Sequence, residues 1–251
     1  MTEGGAVSGS SRGPGLPAGA GEPLEGELMH FKDRVRVWAH GITDPITGGL
    51  VAIGVQADHL TVFGLLLSLA ASLAFFEGGF RFAALLMSLA GVCDILDGQV
   101  ARRRGTSSRF GAFFDSTLDR LADSAVLAGI AGFYLIHLVD LVIEPQHAVL
   151  EIGRGLEPST WARVSLVATT ALIGSFMVSY TRARAEGLGL ECKVGWFERP
   201  ERMLLLIVAA LFGVGPVMPG ALIVLAVLSF VTATQRVAHV WKITRGAGMD
   251  R

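Results

Sequence analysis

Four aspartates on two neighbouring apolar segments are the residues in this sequence best suited to do chemistry. Asp94 and Asp97 stand three residues apart in CDILDGQVARRR, and Asp115 and Asp119 four apart in FGAFFDSTLDRLAD. On helices those spacings put each pair on one face, with Gly111 one turn before Asp115 on the same stripe. Four carboxylates on adjacent helices would then converge at one depth. Neutralising Arg102, Arg103, Arg104 and Arg120 is another use for any one such acid near a helix end. It does not account for four, because each Asp costs on the order of 2.5–3.5 kcal/mol at the centre of a membrane helix. Clustered like charges also repel unless cations sit between them. No positive side chain is expected between the acids on their shared faces, so a metal site is the economical reading. Oxygen ligands without His or Cys favour Mg²⁺, Mn²⁺ or Ca²⁺ over zinc.

Mg²⁺ held by carboxylates is commonly completed by substrate phosphates, and a pair of ions can clamp both oxygens of an in-line displacement at phosphorus. The residues around the acids suit that chemistry. Gly98 follows Asp97 directly, and a glycine costs about 1 kcal/mol in a helix interior relative to alanine. Close approach of a ligand or another backbone is the expected return. Ala101 is small and lies one turn beyond Asp97, Arg102 can give a phosphate a bidentate contact, and Ser108 can add a hydroxyl.

The elements that must position these residues are membrane helices. Of the 251 residues, 51% are hydrophobic and 17% charged, with a mean hydropathy of +0.54, more apolar than an ordinary soluble domain. Six apolar runs, at about 59–77, 80–101, 111–137, 161–181, 202–217 and 219–240, approach the roughly 20 residues a span needs. GVGPVMPG after the short fifth run marks a quick reversal into the sixth. Residues 1–25, rich in Gly, Ser, Pro and Ala, read as a disordered leader without the features of a secretory signal. Residues 26–57 form a juxtamembrane region. In it Phe31, Val35, Trp38 and Ile42 lie opposite Lys32, Arg34 and Arg36 over Met29–Val55, which suits an amphipathic helix in the membrane surface. A six-helix membrane domain is expected over 58–245, with a short tail at 246–251. The two cysteines, Cys93 and Cys192, imply no disulfide framework.

Arginines and lysines cluster in alternate connections: 102–109, 182–202 and the region after 236 on one side, against only Arg81, Arg154 and Arg163 on the other. That asymmetry puts both termini and the aspartates on the cytoplasmic side of the cytoplasmic membrane, with a solvated outer loop at about 138–160.

The string Asp94-x-x-Asp97-Gly98-x-x-Ala101-Arg102, eight residues, Gly111-x-x-x-Asp115-x-x-x-Asp119 resembles the CDP-alcohol phosphotransferase motif at every fixed position, eight of them within 26 residues. The resemblance covers roughly residues 29–245. It implies an all-α membrane protein with six transmembrane helices after an amphipathic surface helix, and usually a homodimer. By the same resemblance Asp94, Asp97 and Asp115 hold Mg²⁺ or Mn²⁺, two ions in all, while Asp119 contributes to the metal site and acts as the base. The CDP-lipid, of CDP-diacylglycerol type, would lie along Asp94, Gly98, Ala101, Arg102 and Ser108, and CMP would leave. The pair Ser107 and Ser108 leaves the last contact ambiguous by one residue. A carboxylate is a poor base for a free alcohol, but a nearby metal that acidifies the hydroxyl narrows the gap.

The acceptor is read from the basic segment SYTRARAEGLGLECKVGWFERPERM and the later TQRVAHVW. Its arginines suit a phosphorylated alcohol, since Arg recognises phosphate by paired hydrogen bonds; anchoring to anionic lipid is the plainer use. The RARAE and ERPER strings and the late QR look like the phosphatidylinositol-phosphate synthases and their archaeal counterparts. That likeness implies acceptor-phosphate contacts at Arg182, Arg199 and Arg236, although the position of Arg182 is often Lys there. Inositol phosphate is therefore the favoured acceptor, with glycerol 3-phosphate, giving phosphatidylglycerophosphate, the alternative. Membrane lipid is the other expected partner; a nucleic acid is not. An aspartate-rich prenyltransferase would not require Gly98, Ala101, Arg102 and Gly111 at these offsets. An ion transporter would spread acids over several helices.

Overall fold

The computed structural model describes residues 43–106, 108–143 and 158–246. The expected leader, the part of the expected surface helix before residue 43, Ser107, residues 144–157 of the expected outer loop and the tail from 247 lie outside the described residues. Within the juxtamembrane region, residues 43–52 are helical. Six helices follow: α1 (Ala57–Phe76), α2 (Phe80–Arg104), α3 (Arg109–Ile143), α4 (Pro158–Gly187), α5 (Arg199–Leu211) and α6 (Val217–Gly246). No strand occurs among the described residues.

Four stretches, Ala57–Phe76, Arg109–Asp140, Ser159–Gly187 and Val217–Gly246, are long and apolar enough to cross a membrane. The chain is an integral membrane protein, helical throughout its regular described structure. The other two helices differ for physical reasons. α2 carries Asp94, Asp97 and Arg102 to Arg104 in its second half. α5 has 13 residues, about 20 Å at 1.5 Å per residue, against a hydrocarbon core of about 30 Å. The fifth run, expected to reach residue 217, stops as helix at Leu211. Phe212 caps it and Gly213 takes a positive φ of 76°. The reversal closes by Pro216, and Val217 to Gly220 are already helical: Pro219 sits in the first turn of α6, where its missing N–H has no intrahelical partner to lose.

The helices pack as a closed ring in the order α1, α2, α5, α6, α4, α3 and back to α1. This places α1 between the two aspartate-bearing helices and α5 against α2. The ring is filled by Phe75, Met87, Leu127, Ile130, Leu222 and Leu225, all buried. At the end remote from the aspartates, Phe80 stacks edge-on against Phe75 and Phe133, with centroids 5.2 and 4.9 Å apart. Close contact between α1 and α3 depends on Gly129: a Cβ there would collide with the Ser72 carbonyl oxygen. Small residues that let backbones approach are the usual means of packing helices in lipid, where burial of apolar surface gives little drive.

Candidate active site

Asp94 and Asp97 come from the second half of α2, and Asp115 and Asp119 from the first third of α3. One ligand oxygen from each of Asp94, Asp97 and Asp115 falls within 4.8 Å of the others. Asp97 is 8% exposed, and the Thr61 hydroxyl on α1 donates to its Oδ2 at 2.8 Å. Oδ1 of Asp115 is buried and accepts no hydrogen bond. A buried carboxylate oxygen without a donor, on one of three acids whose ligand oxygens gather this closely, fits a hard divalent cation. Such a group, once bound, would offset charge on a diphosphate and acidify a coordinated hydroxyl.

Asp119 lies one turn further along α3, toward α5. The expectation of no positive side chain covers only the shared faces of α2 and α3; a third helix supplies a cation. Arg199, in the first turn of α5, reaches in from the segment beyond α4. Its Nη1 is 3.0 Å from Asp94 Oδ2, its Nη2 is 3.0 Å from Asp119 Oδ1, and its Nε is 3.4 Å from Asp123 Oδ1. The helix-face pattern of α2 and α3 alone does not reveal this, because the cation comes from a third element.

Two cavities flank the acids. The first, about 400 Å³, is lined by Asp97, Gly98, Ala101, Arg102, Ser108 and Asp115, so all but Asp94 of the expected nucleotide contacts border one space. At Gly98 the nearest neighbour is neither a ligand nor another backbone but a side chain of the same helix: a Cβ there would stand 3.3 Å from Arg102 Nη1. Ser108 caps α3, its Oγ accepting from the Gly111 N–H at 2.9 Å, and remains exposed. Helix α2 ends at Gly105 with φ 64°, and Arg102, Arg103 and Arg104 fill its last turn, where the helix dipole favours cations.

The second cavity, about 460 Å³, is lined by Asp119, Asp123, Arg182, Glu198, Arg199 and Arg236, among others. The three arginines expected to face an acceptor thus share one space with the expected base. Each is already held. Arg182 Nε donates to Glu186 Oε1 at 2.9 Å, and its Nη1 is 3.6 Å from Glu198 Oε1. Arg236 is 2% exposed and donates to the carbonyls of Val194 and Val178 at 2.9 and 2.6 Å and to Glu198 at 3.2 Å. Glu198 is also the N-cap of α5, in a capping box with Glu201. A smaller cavity lined by Thr61, Asp94, Asp97, Asp119 and Arg199 separates the two large ones. Sequence reading missed Thr61, Asp123 and Glu198 as members of the site. Only Asp123 left a signal, one turn past Asp119 on the same stripe.

The sequence model of the CDP-alcohol phosphatidyltransferase domain matches residues 55–234, which contain the four motif aspartates and, of the site residues described above, all but Arg236 on the site's last helix. The chain belongs to the CDP-alcohol phosphatidyltransferase family. It is an enzyme of phospholipid biosynthesis, a metal-using transferase, which sets aside the prenyltransferase and transporter alternatives. Among similar proteins, an archaetidylinositol phosphate synthase of Methanothermobacter thermautotrophicus is 36% identical over 222 residues, covering 87% of this chain and 96% of the relative. A phosphatidylinositol phosphate synthase of Mycobacteroides abscessus is 37% identical over 213 residues, covering 82% and 86%. The solved structure of a Mycobacterium tuberculosis phosphatidylinositol phosphate synthase with CDP-DAG bound superimposes with a TM-score of 0.66 at 32% identity, covering 80% of this chain and 94% of that one. The same protein solved with manganese and citrate gives 0.65 at 30% identity, covering 79% and 88%.

Proposed function

We propose that this CDP-alcohol phosphatidyltransferase transfers a phosphatidyl-type group from a CDP-diacylglycerol-type lipid to inositol phosphate, releasing CMP. The observation that carries this reading is the second cavity, where Arg182, Arg199 and Arg236 border the same space as Asp119. Its agreement with the names of the similar synthases adds support.

In this reading Asp94, Asp97, Asp115 and Asp119 hold Mg²⁺ or Mn²⁺. The donor lies in the first cavity along Gly98, Ala101, Arg102 and Ser108, with Arg102 donating to its diphosphate and Asp94 at the nucleotide's inner end. Arg182, Arg199 and Arg236 fix the acceptor by its phosphate in the second cavity. The acceptor hydroxyl forms a bond to the lipid-bearing phosphorus while the bond from that phosphorus to the CMP oxygen breaks. Asp119 accepts the hydroxyl proton, and CMP leaves with the electron pair. The test is metal-dependent CMP release by purified protein from CDP-diacylglycerol, with inositol phosphate, glycerol 3-phosphate and free inositol compared as acceptors. Inositol phosphate is expected to give the highest kcat/KM. A clear preference for glycerol 3-phosphate would make the enzyme a phosphatidylglycerophosphate synthase instead.

The same reading gives the chain six spans and a homodimeric assembly, with both termini and the site on the cytoplasmic side of the cytoplasmic membrane. Outward-facing apolar stripes support membrane burial of the two helices that composition leaves out. Phe82, Leu85, Leu89 and Val92 on α2, at helical spacing, are exposed, as are Leu204, Val208 and Leu211 on α5. The Lys and Arg asymmetry supports the orientation. A single cysteine introduced at Ser107 should be protected in intact cells from a membrane-impermeant maleimide and react after lysis. Labelling from outside would reverse the orientation.

A further inference from the structure

Asp123 has no place in the eight-position motif, yet it lies on the stripe of Asp115 and Asp119, one turn beyond the second. Its side chain is 15% exposed, and both oxygens are taken by arginines of α5. Oδ1 accepts from Arg199 Nε at 3.4 Å, and Oδ2 from Arg202 Nη2 at 3.1 Å. Arg202 is 4% exposed with Nε and Nη1 unbonded, so Asp123 is the only hydrogen-bond partner of its guanidinium among the described residues. This pair fixes Asp123, and Asp123 in turn fixes one corner of the Arg199 guanidinium. A guanidinium is a rigid planar fork, so holding Nε sets the directions of Nη1 and Nη2. Those two nitrogens meet Asp94 and Asp119, each through one carboxylate oxygen.

The geometry points to Asp123 as a positioning residue for the metal site: by gripping Arg199 at Nε, it makes that cation orient Asp94 and Asp119 instead of competing for them. Two effects follow from its loss, and they have the same sign. Arg199 can pivot, so the orientation of Asp94 and Asp119 is lost. Its charge, previously divided among three carboxylates, also falls on two and opposes a bound cation more strongly. Groups that orient metal ligands from behind are typically worth 10- to 100-fold in metal affinity. The inference rests on the reading that the motif aspartates hold the metal.

The experiment measures Mn²⁺ affinity of the full chain in detergent, per folded protein, by electron paramagnetic resonance. Asp123→Asn should weaken Mn²⁺ binding by roughly 10-fold or more, and Asp123→Glu should recover most of the loss. Arg199→Lys keeps the charge and the Asp123–Arg202 pair but lacks the fork. It should show a similar loss, and it serves where the Asn variant folds poorly. Wild-type affinity in Asp123→Asn or Arg199→Lys, with only a lower melting temperature, would mean that Asp123 merely docks α5 on α3. A Glu variant no better than Asn would equally overturn the inference. Asp97→Asn is measured in parallel: if it retains Mn²⁺ binding, the metal-site reading itself fails, whereas loss there with none at Asp123 sinks this inference alone.

Discussion

Asp97→Asn is expected to stop turnover, lowering kcat by about 10³-fold or more, with the protein still folded. The side chain is nearly isosteric, and the Thr61 hydroxyl that donates to Oδ2 can donate to an amide oxygen in the same place. What changes is the charge on one of three carboxylates whose oxygens gather within 4.8 Å. An amide is a weaker, neutral ligand, so the cation that these acids are proposed to share is held poorly. Removing a single charge-stabilising contact from an active site typically costs 10²–10³-fold. Loss of a bound divalent ion removes several such contacts at once. Wild-type enzyme should likewise lose activity in excess EDTA and regain it with Mg²⁺ or Mn²⁺. The measurement is CMP release at saturating CDP-lipid, with melting temperature as the control for folding. Full turnover in excess chelator would remove the metal from the mechanism.

The features legible in the sequence are those that repeat along one helix. Asp94 with Asp97, and Asp115 with Asp119, declare their shared faces by spacings of three and four, and the six apolar runs correspond to six helices. Interactions between elements distant in sequence leave no such mark. Thr61 meets Asp97 across 36 residues and Arg199 meets Asp123 across 76. The run ERPER shows basic residues but not that one would turn inward among the acids. That orientation follows from the capping box of Glu198 and Glu201, which starts α5 at Arg199 and aims its first turn at α2 and α3. Hydropathy alone carries the fifth run on to residue 217, whereas the GVGPVMPG string, which begins at Gly213, marks where the helix ends.

Arg182→Ala should lower kcat/KM for inositol phosphate by roughly 10- to 100-fold while leaving affinity for the CDP-lipid nearly unchanged. The estimate follows from a charge-assisted hydrogen bond of about 1.5–3 kcal/mol with tenfold per 1.4 kcal/mol. Of the three arginines expected to face the acceptor it gives the cleanest test. Its side chain is 40% exposed, and its two partners, Glu186 and Glu198, are half exposed, so truncation strands no buried group. Arg236→Ala should cost at least as much, but part of that loss is structural. It removes the guanidinium that ties the carbonyls of Val178 and Val194, the first of them buried, to α6. Arg199→Ala combines both effects and weakens the metal site as well, so it should lower kcat along with acceptor affinity. Arg182→Lys should be milder than Ala, because charge survives although the paired geometry does not. Arginines that only anchored the protein to anionic lipid would behave differently: all three Ala variants would affect insertion or stability and reduce use of both substrates together. Steady-state kinetics on wild type and variants, with inositol phosphate, glycerol 3-phosphate and free inositol, separates the cases. If free inositol is the best wild-type substrate, or if Arg182→Ala loses CDP-lipid binding as fully as acceptor use, the second cavity is not a phosphate pocket.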